Sequence, residues 1–144
     1  MRMRVTDWEH PVIEEGRLTR YHWLVRHSEH LRLGNYTDIG AFSYINALHG
    51  VTIEDFVQVG SHCSIYSVST IDSRKGPVLL RRNCRVGSHT VVMPGVTIGE
   101  NTIVGAHSLV NRDLPANVVA YGVPARVQRA LREEEIRRMT EETG

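Results

Sequence analysis

Histidines recur in the middle of the chain at a spacing that could bring them together. His89 and His107 are 18 residues apart, and Ser88 and Ala106 precede them at the same spacing. An imidazole titrates near neutral pH and can therefore act as a general base. If the fold stacks residues that are 18 positions apart, these four residues predict a ligand-binding track along one corner of the molecule.

A six-residue repeat supplies that stacking. Aliphatic anchors recur every six positions, glycine often follows an anchor, and a small or β-branched residue comes four positions after it. Neither the period of a helix nor the alternation of a strand explains a period of six. Three hexapeptides close a triangular coil, and coils stack at about 4.8 Å, so the pattern predicts about four coils. The thirteen anchors are Leu33, Ile39, Ile45, Ile53, Val59, Ile65, Ile71, Leu80, Val86, Val92, Ile98, Val104 and Val110.

Two insertions interrupt the repeat, one around residues 48–50 and one within residues 72–77. Insertions in repeat proteins often mark the binding face. We assume that both insertions are bulges and that every third hexapeptide therefore still falls on the same face of the prism. One face then carries the anchors Ile45, Ile65, Val86 and Val104. The corner after that face then carries His49, Val68, His89 and His107 in successive coils. This count adds His49 to the predicted ligand track.

The chain is predicted to form a single domain over residues 1–144. Residues 1–32 lack the repeat and predict an irregular cap, residues 33–115 form the repeat prism, and residues 116–144 form a tail. The charged segment from Ala125 to Glu142 has no glycine or proline and predicts a helix within that tail.

Composition excludes several partners and compartments. The chain has 17 basic and 16 acidic residues, so its net charge of +1 does not favour nucleic-acid binding. No apolar run is long enough to cross a bilayer, and the first residues do not form a secretory signal. We therefore expect a cytoplasmic protein without a membrane partner. Cys63 and Cys84 fall at small inward positions of the repeat and predict core packing.

The motifs resemble those of the left-handed β-helix acyltransferases, which are built from hexapeptide repeats. The similarity covers about residues 33–129 and is greatest to sugar and nucleotide-sugar O- or N-acetyltransferases. It implies an all-β fold, a left-handed parallel β-helix, assembled as a homotrimer with acetyl-CoA as co-substrate between subunits; we expect no metal. The motifs are Val86-Gly87-Ser88-His89, Met93-Pro94-Gly95-Val96-Thr97-Ile98-Gly99, Val104-Gly105-Ala106, Asn111-Arg112-Asp113-Leu114-Pro115 and Gly122-Val123-Pro124-Ala125-Arg126.

The resemblance also implies which residues hold the coenzyme. Ser88 and Ala106 match positions whose main chain contacts the pantetheine arm, in agreement with the stacked corner. Arg112, Arg126 and Arg129 match basic positions near the phosphates and adenosine, where guanidinium groups form charge-assisted hydrogen bonds. The thioester is then expected to point toward the N-terminal coils.

The chemistry is therefore expected near Asn46, His49, Ser67 and Asp72. Acyl transfer needs a base, donors for the oxyanion and two aligned substrates. In many relatives the base is a histidine in the loop after the Cys-Ser-Ile coil. The corresponding residues 71–77 of this chain contain no histidine. This chain therefore departs from the usual catalytic pattern of the family.

Three substitutes for the missing base stay open. His49 is the first candidate, and His62 is the second because its corner could face the groove of the next subunit in a trimer. Transfer without a side-chain base is the third, since an amine with a lowered pKa needs less help than a hydroxyl. Asp72 could orient a histidine or an acceptor amine, and Asn46 and Ser67 are predicted to bind the acceptor.

The predicted reaction moves an acetyl group from acetyl-CoA to the amine of a small, nucleotide-linked amino sugar. One alternative is O-acetylation of a sugar hydroxyl. Another is a non-catalytic hexapeptide scaffold that only binds partners. A third is a zinc enzyme like the γ-class carbonic anhydrases, which share the prism. Within the repeats no two histidines are five residues apart, which argues against the zinc enzyme.

Overall fold

The repeat forms a three-sided prism in the computed structural model, which describes residues 7–144. Within these residues a 3-10 turn covers Ser28–His30, and one α-helix, α1, covers Glu133–Glu141. The predicted parallel β-helix with a C-terminal helix is confirmed. In chain order the strands are β1 (Leu24–Arg26), β2 (Leu31–Leu33), β3 (Asp38–Ile39), β4 (Tyr44–Asn46), β5 (Val51–Ile53), β6 (Gln58–Val59), β7 (Ser64–Tyr66), β8 (Val68–Ser69), β9 (Arg74–Lys75), β10 (Val78–Leu80), β11 (Arg85–Val86), β12 (Val91–Val92), β13 (Thr97–Ile98), β14 (Ile103–Val104), β15 (Leu109–Val110), β16 (Val118–Gly122) and β17 (Ala125–Ala130).

Three parallel ladders form the sides of the prism. The first face contains β1, β4, β7, β12 and β15, and the second contains β2, β5, β10 and β13. The third contains β3, β6, β11, β14 and β16, with β17 added antiparallel at its edge. The chain passes from the second face to the third and then to the first in every coil. Strands of only two or three residues alternate with corners, as a six-residue repeat requires.

The anchors of the repeat fill the axis of the prism. Ile45, Ile65 and Leu80 are fully buried, and each packs into one continuous apolar cluster. Cys63 and Cys84 lie in the same interior. Burial raises the pKa of both thiols, which keeps them protonated and unreactive. The predicted core role of the cysteines is thus consistent with their positions.

Corner glycines allow successive coils to stack closely. A Cβ atom on Gly60 would lie 2.6 Å from the Ser88 nitrogen, and one on Gly87 would lie 2.5 Å from the Ala106 nitrogen. A side chain at either glycine would therefore collide with the main chain of the next coil. Glycine is required at these two corners because only a hydrogen atom fits between the coils.

The second insertion is larger than the sequence predicts. The chain leaves the prism after β7 and returns at β10, and the intervening strands β8 and β9 form an antiparallel hairpin that projects outward. Ile71 lies at its tip and is 95% exposed. The prediction that Ile71 is an inward anchor was wrong, because the hairpin satisfies its own backbone hydrogen bonds and forms no side of a coil. Twelve of the thirteen predicted anchors remain.

The hairpin also changes which residues share a face. Ile45 pairs with Ile65 on the first face, as predicted. Val86 and Val104 pair with each other on the third face. The prediction that all four share one face was wrong, because it counted the segment containing Ile71 as a side.

The parallel ladders extend beyond residues 33–115 at both ends. Strand β1 already pairs with β4, and β16 continues the ladder from β14. The predicted helix over residues 125–142 is shorter than expected, because Ala125–Ala130 pair with β16 as strand β17. Helix α1 begins only at Glu133. Within the described chain, no helix combines the length and the apolar character needed to cross a membrane.

Candidate functional site

Three imidazole rings stack at the corner between the third and first faces. We define this histidine corner as residues 61–62, 88–89 and 106–107 in three successive coils. The ring centroids of His62 and His89 are 4.7 Å apart, and those of His89 and His107 are 4.9 Å apart. All three histidines have φ between 57° and 60°, so each coil turns in the same way and projects its ring at the same point. The predicted stacking of His89 with His107 is confirmed.

His49 lies at a different corner, between the first and second faces. Its backbone N–H donates a hydrogen bond to the Ser67 hydroxyl at 3.0 Å, and that hydroxyl donates to the Asn46 carbonyl at 2.7 Å. The prediction that His49 stacks with His89 was wrong, because the hairpin shifts the count of sides. His62 occupies that position.

Ser67 holds this corner together from inside the protein. Its side chain is fully buried, and its hydroxyl already contacts both Asn46 and His49. Its carbonyl accepts a further hydrogen bond from the Gly76 N–H at 3.0 Å. Ser67 therefore positions its neighbours and does not face an acceptor.

The β8–β9 hairpin overhangs the first face and encloses a groove of about 530 Å³. We name this the hairpin groove. The rings of Tyr44 and Tyr66 lie on the exposed side of the first face with centroids 5.8 Å apart. Aromatic faces beside an amide and a carboxylate suit a small ligand that has both apolar and polar surfaces. The residues that line the groove include Tyr44, Asn46, Tyr66, Ile71, Asp72 and Met93.

The hairpin itself sets the charge of Asp72. The Ser69 hydroxyl and the Arg74 N–H donate hydrogen bonds to the Asp72 carboxylate and lower its pKa. A carboxylate with a lowered pKa is a weaker base, so Asp72 is better suited to binding a cation than to removing a proton. The structure joins Asp72 and Asn46 in one groove, whereas His49 lines a separate depression with Glu29 and His30.

Arg74 fixes the hairpin over the first face. Its guanidinium donates to the Pro94 carbonyl at 3.3 Å and to the Asn111 carbonyl at 3.2 Å. These carbonyls belong to two successive coils, so one half-buried side chain fastens the hairpin to both. The roof of the groove is therefore preorganised before a ligand binds.

Sequence reasoning missed Tyr44, Tyr66 and Arg74. Tyr44 and Tyr66 are immediate neighbours of the buried anchors Ile45 and Ile65, and strand alternation points such neighbours outward. That signal was available from the repeat. Arg74 has no equivalent signal, because its partners are 20 and 37 residues away in the chain.

The three predicted coenzyme arginines have different surroundings. The two terminal nitrogens of Arg129 donate to both oxygens of Glu135, at 2.8 and 3.1 Å. Arg112 and Arg126 are exposed, and neither forms an ion pair with another residue in the range 7–144. Two unpaired guanidinium groups fit an anionic ligand, whereas Arg129 holds the start of helix α1.

No three histidine, cysteine, aspartate or glutamate side chains within residues 7–144 could hold a metal ion together. The rings of the histidine corner are nearly parallel, with interplanar angles of 3° and 7°. Because the nitrogen lone pairs lie in the ring planes, those of parallel rings do not converge on one point.

Residues 77–112 match the family model described as bacterial transferase hexapeptide, six repeats. The galactoside O-acetyltransferase of Lactococcus lactis is 30% identical over 119 residues, which are 72% of this chain and 58% of the relative. The putative colanic acid biosynthesis acetyltransferase of Escherichia coli is 36% identical over 107 residues, which are 69% of this chain and 58% of the relative. This chain therefore spans less than two thirds of the length of these curated relatives.

Solved structures of acetyltransferases are also similar to this chain. A hexapeptide-repeat acetyltransferase of Vibrio cholerae complexed with acetyl-CoA has a TM-score of 0.73 at 28% identity, over 77% of this chain and 66% of that one. A galactoside acetyltransferase in complex with coenzyme A has a TM-score of 0.72 at 29% identity, over 79% of this chain and 62% of that one. The repeat, the prism and these similarities show that the chain belongs to the family of hexapeptide-repeat acyltransferases.

Proposed function

We propose that this protein transfers an acetyl group from acetyl-CoA to the amine of a small amino sugar, with nucleotide-linked amino sugars as the preferred class. The proposal rests on the hairpin groove, which offers aromatic faces and an anionic carboxylate but no histidine among its lining residues. The names of the relatives support acetyl transfer, and two solved relatives hold acetyl-CoA or coenzyme A.

The histidine corner is the proposed coenzyme track. Acetyl-CoA supplies an activated acetyl thioester. The main chain at Ser88 and Ala106 would contact the pantetheine arm, and both residues are accessible at the surface. Arg112 and Arg126 would pair with the phosphates, because their guanidinium groups are unpaired within the described residues. Arg129 contributes less in this proposal, since Glu135 already holds both of its terminal nitrogens.

The hairpin groove is the proposed acceptor site. Tyr44 and Tyr66 would stack against the ring of the sugar, which has an apolar face of C–H bonds. Asn46 and Asp72 would bind its polar groups, and the Asp72 carboxylate would attract the protonated amine before transfer. Arg74 keeps Asp72 in place by anchoring the hairpin.

His62 is the proposed proton acceptor, and it would act from a second copy of the chain. His62 lies at the corner before strand β7, whereas Tyr66 is the last residue of that strand, and His62 is not among the residues that line the groove. Its imidazole therefore contributes nothing to the lining of the groove in its own chain. A homotrimer with sites between subunits would bring the histidine corner of one copy to the groove of the next. There His62 could take the proton from the attacking amine.

An amine acceptor agrees better with this groove than a hydroxyl does. The lowered pKa keeps the Asp72 carboxylate ionised, and an anionic carboxylate attracts a protonated amine more strongly than a neutral hydroxyl. Sugar O-acetylation is the second candidate, because both the Lactococcus relative and an Escherichia coli relative that is 49% identical over 59 residues are named galactoside O-acetyltransferases.

Calorimetry with acetyl-CoA and coenzyme A, in the presence of a metal chelator, tests the coenzyme track first. Metal-independent binding supports the proposal. Thiol release and product mass are then measured with pairs of acceptors, each pair an amino sugar nucleotide and the same nucleotide with a hydroxyl at that carbon. Acetylation of the amine alone supports N-transfer, and acetylation of the hydroxyl alone contradicts it. Without coenzyme binding, the scaffold or the zinc enzyme would replace the proposal.

A further inference from the structure

We propose that a second cavity, beneath the N-terminal segment, binds a small organic cation such as an alkylammonium group. The cavity has a volume of about 200 Å³ and lies where residues 7–23 pack against β3 of the third face. Its walls include Asp7, Trp8, Tyr21, Trp23, Thr37 and Asp38. None of these residues lines the hairpin groove, so the proposal is independent of the proposed acetyl transfer.

The aromatic walls of this cavity are held in place. The Trp8 indole N–H donates to the Thr37 carbonyl at 2.7 Å, which ties the ring to the corner of the prism. Trp23 is only 2% exposed, and its carbonyl accepts the Thr19 N–H at 2.8 Å. A cation gains from aromatic faces when they are fixed in advance and partly removed from water. The Trp8 indole is fixed by its hydrogen bond and the Trp23 indole by its burial, so both rings are in place before a ligand binds.

The charge of the cavity selects a cation. Asp7 and Asp38 both contribute to its lining, and neither forms an ion pair with any residue from 7 to 144. One residue of the lining already contacts a cation: the Arg20 guanidinium lies 5.0 Å from the centroid of the Tyr21 ring. That contact shows that Tyr21 accepts a cation on one face. The two carboxylates carry the negative charge that a bound ammonium group would neutralise.

The size of the cavity limits the ligand. Sites for drug-sized ligands or cofactors have volumes of about 300–1,000 Å³. A cavity of about 200 Å³ is smaller than these and would admit a compact head group. Aromatic rings with carboxylates at this size are the features that recognise quaternary and alkylated ammonium ions. We therefore expect a trimethylammonium group to bind better than a neutral group of the same shape.

The chain carries its own reporter for this test. It contains two tryptophans, and both line the cavity. Choline and its neutral isostere 3,3-dimethylbutan-1-ol are titrated while tryptophan fluorescence is recorded. The proposal expects a saturable change with choline and binding of the isostere that is weaker by about tenfold or more. Equal responses to the two compounds, or no response to choline, would overturn it.

Substitution of one carboxylate provides the second test. Asp38→Asn keeps the shape of the side chain but removes its charge, and should weaken choline binding by about tenfold. Asp7→Asn should weaken it in the same direction. Glu100→Gln removes an exposed carboxylate that does not line the cavity and should leave choline affinity unchanged. Equal affinity in both aspartate variants, with unaltered circular dichroism, would overturn the proposal. Coenzyme binding, measured in parallel, should be the same in all of these variants.

Discussion

The imidazole rings of His62 and His89 lie face to face, with centroids 4.7 Å apart and an angle of 3° between their planes. The two residues are 27 positions apart in the sequence, which is not a multiple of six. They meet because the hairpin takes up the surplus residues between the two coils, so that β6 still pairs with β11. This stack makes His62, rather than His49, the neighbour of the proposed coenzyme track.

His62→Ala should lower kcat at least about tenfold, because it removes the proposed proton acceptor. Coenzyme affinity should change little, since the proposed coenzyme contacts are main chain and arginine. His49→Ala is the matched control and should change kcat by less than about threefold. Steady-state kinetics and calorimetry with coenzyme A measure both effects. The reverse order would assign the base to His49, and unchanged kcat in both variants would indicate transfer without a side-chain base.

Arg74→Ala should loosen the hairpin over the groove. It removes two charge-assisted hydrogen bonds to carbonyls of the prism, which corresponds to about 1–2 kcal/mol of local stability. Hydrogen exchange of the Gly76 amide, which bonds the Ser67 carbonyl, should accelerate, and KM for the acceptor should rise. Lys75→Ala is the control, because Lys75 is exposed and adjacent. Equal exchange in the two variants would show that Arg74 does not anchor the hairpin.

The repeat could be predicted from the sequence because each hexapeptide shows the residue types that its own positions require. An anchor such as Ile65 is apolar because it points inward, and a residue such as Gly87 lacks a side chain because the next coil passes within contact distance. The assignment of faces could not be predicted in this way. It depends on whether residues 67–77 form a side or a hairpin, and that choice is decided by contacts such as the one between Arg74 and Asn111, 37 residues apart.

The same limit applies to the residues of the candidate site. Residues separated only by regular coils could be placed from the sequence, and residues separated by the hairpin could not. Ser88 and Ala106 could be placed together because they are one regular coil apart, with no insertion between them. His49 could not be placed, because the hairpin lies between it and His89. The strand Ala125–Ala130 was mistaken for helix, since its composition does not reveal the open edge of β16 with which it pairs.

Protonation of Glu135 at acid pH should weaken the hydrogen bonds that hold the start of helix α1. Hydrogen bonds from Arg129, followed by the N–H of Arg132, lower the pKa of Glu135 from 4.5 to about 2. A carboxylate whose pKa is depressed by folding contributes stability above the unfolded pKa, and that contribution is lost as pH falls from about 4.5 toward 2. Glu135→Gln should therefore reduce the change in melting temperature over this pH range. Glu133→Gln, at an exposed position in the same helical turn, should retain it; equal curves for the two variants would contradict the prediction.

Arg126→Ala and Arg129→Ala should separate coenzyme binding from packing of the C-terminal helix. The Arg126 guanidinium is exposed, and among residues 7–144 it forms one hydrogen bond, to the Ala125 carbonyl, so its loss should weaken coenzyme A binding by about tenfold while leaving the melting temperature unchanged. The binding difference should shrink at high salt because the phosphate contacts are at the surface.

Arg129→Ala should lower the melting temperature and leave coenzyme A binding nearly unchanged, since it leaves the buried Glu135 carboxylate without its bidentate partner. Calorimetry at two salt concentrations and thermal unfolding measure the two effects. If Arg129→Ala weakens binding as much as Arg126→Ala at an unchanged melting temperature, then the Glu135 ion pair opens for the coenzyme and both arginines belong to its site.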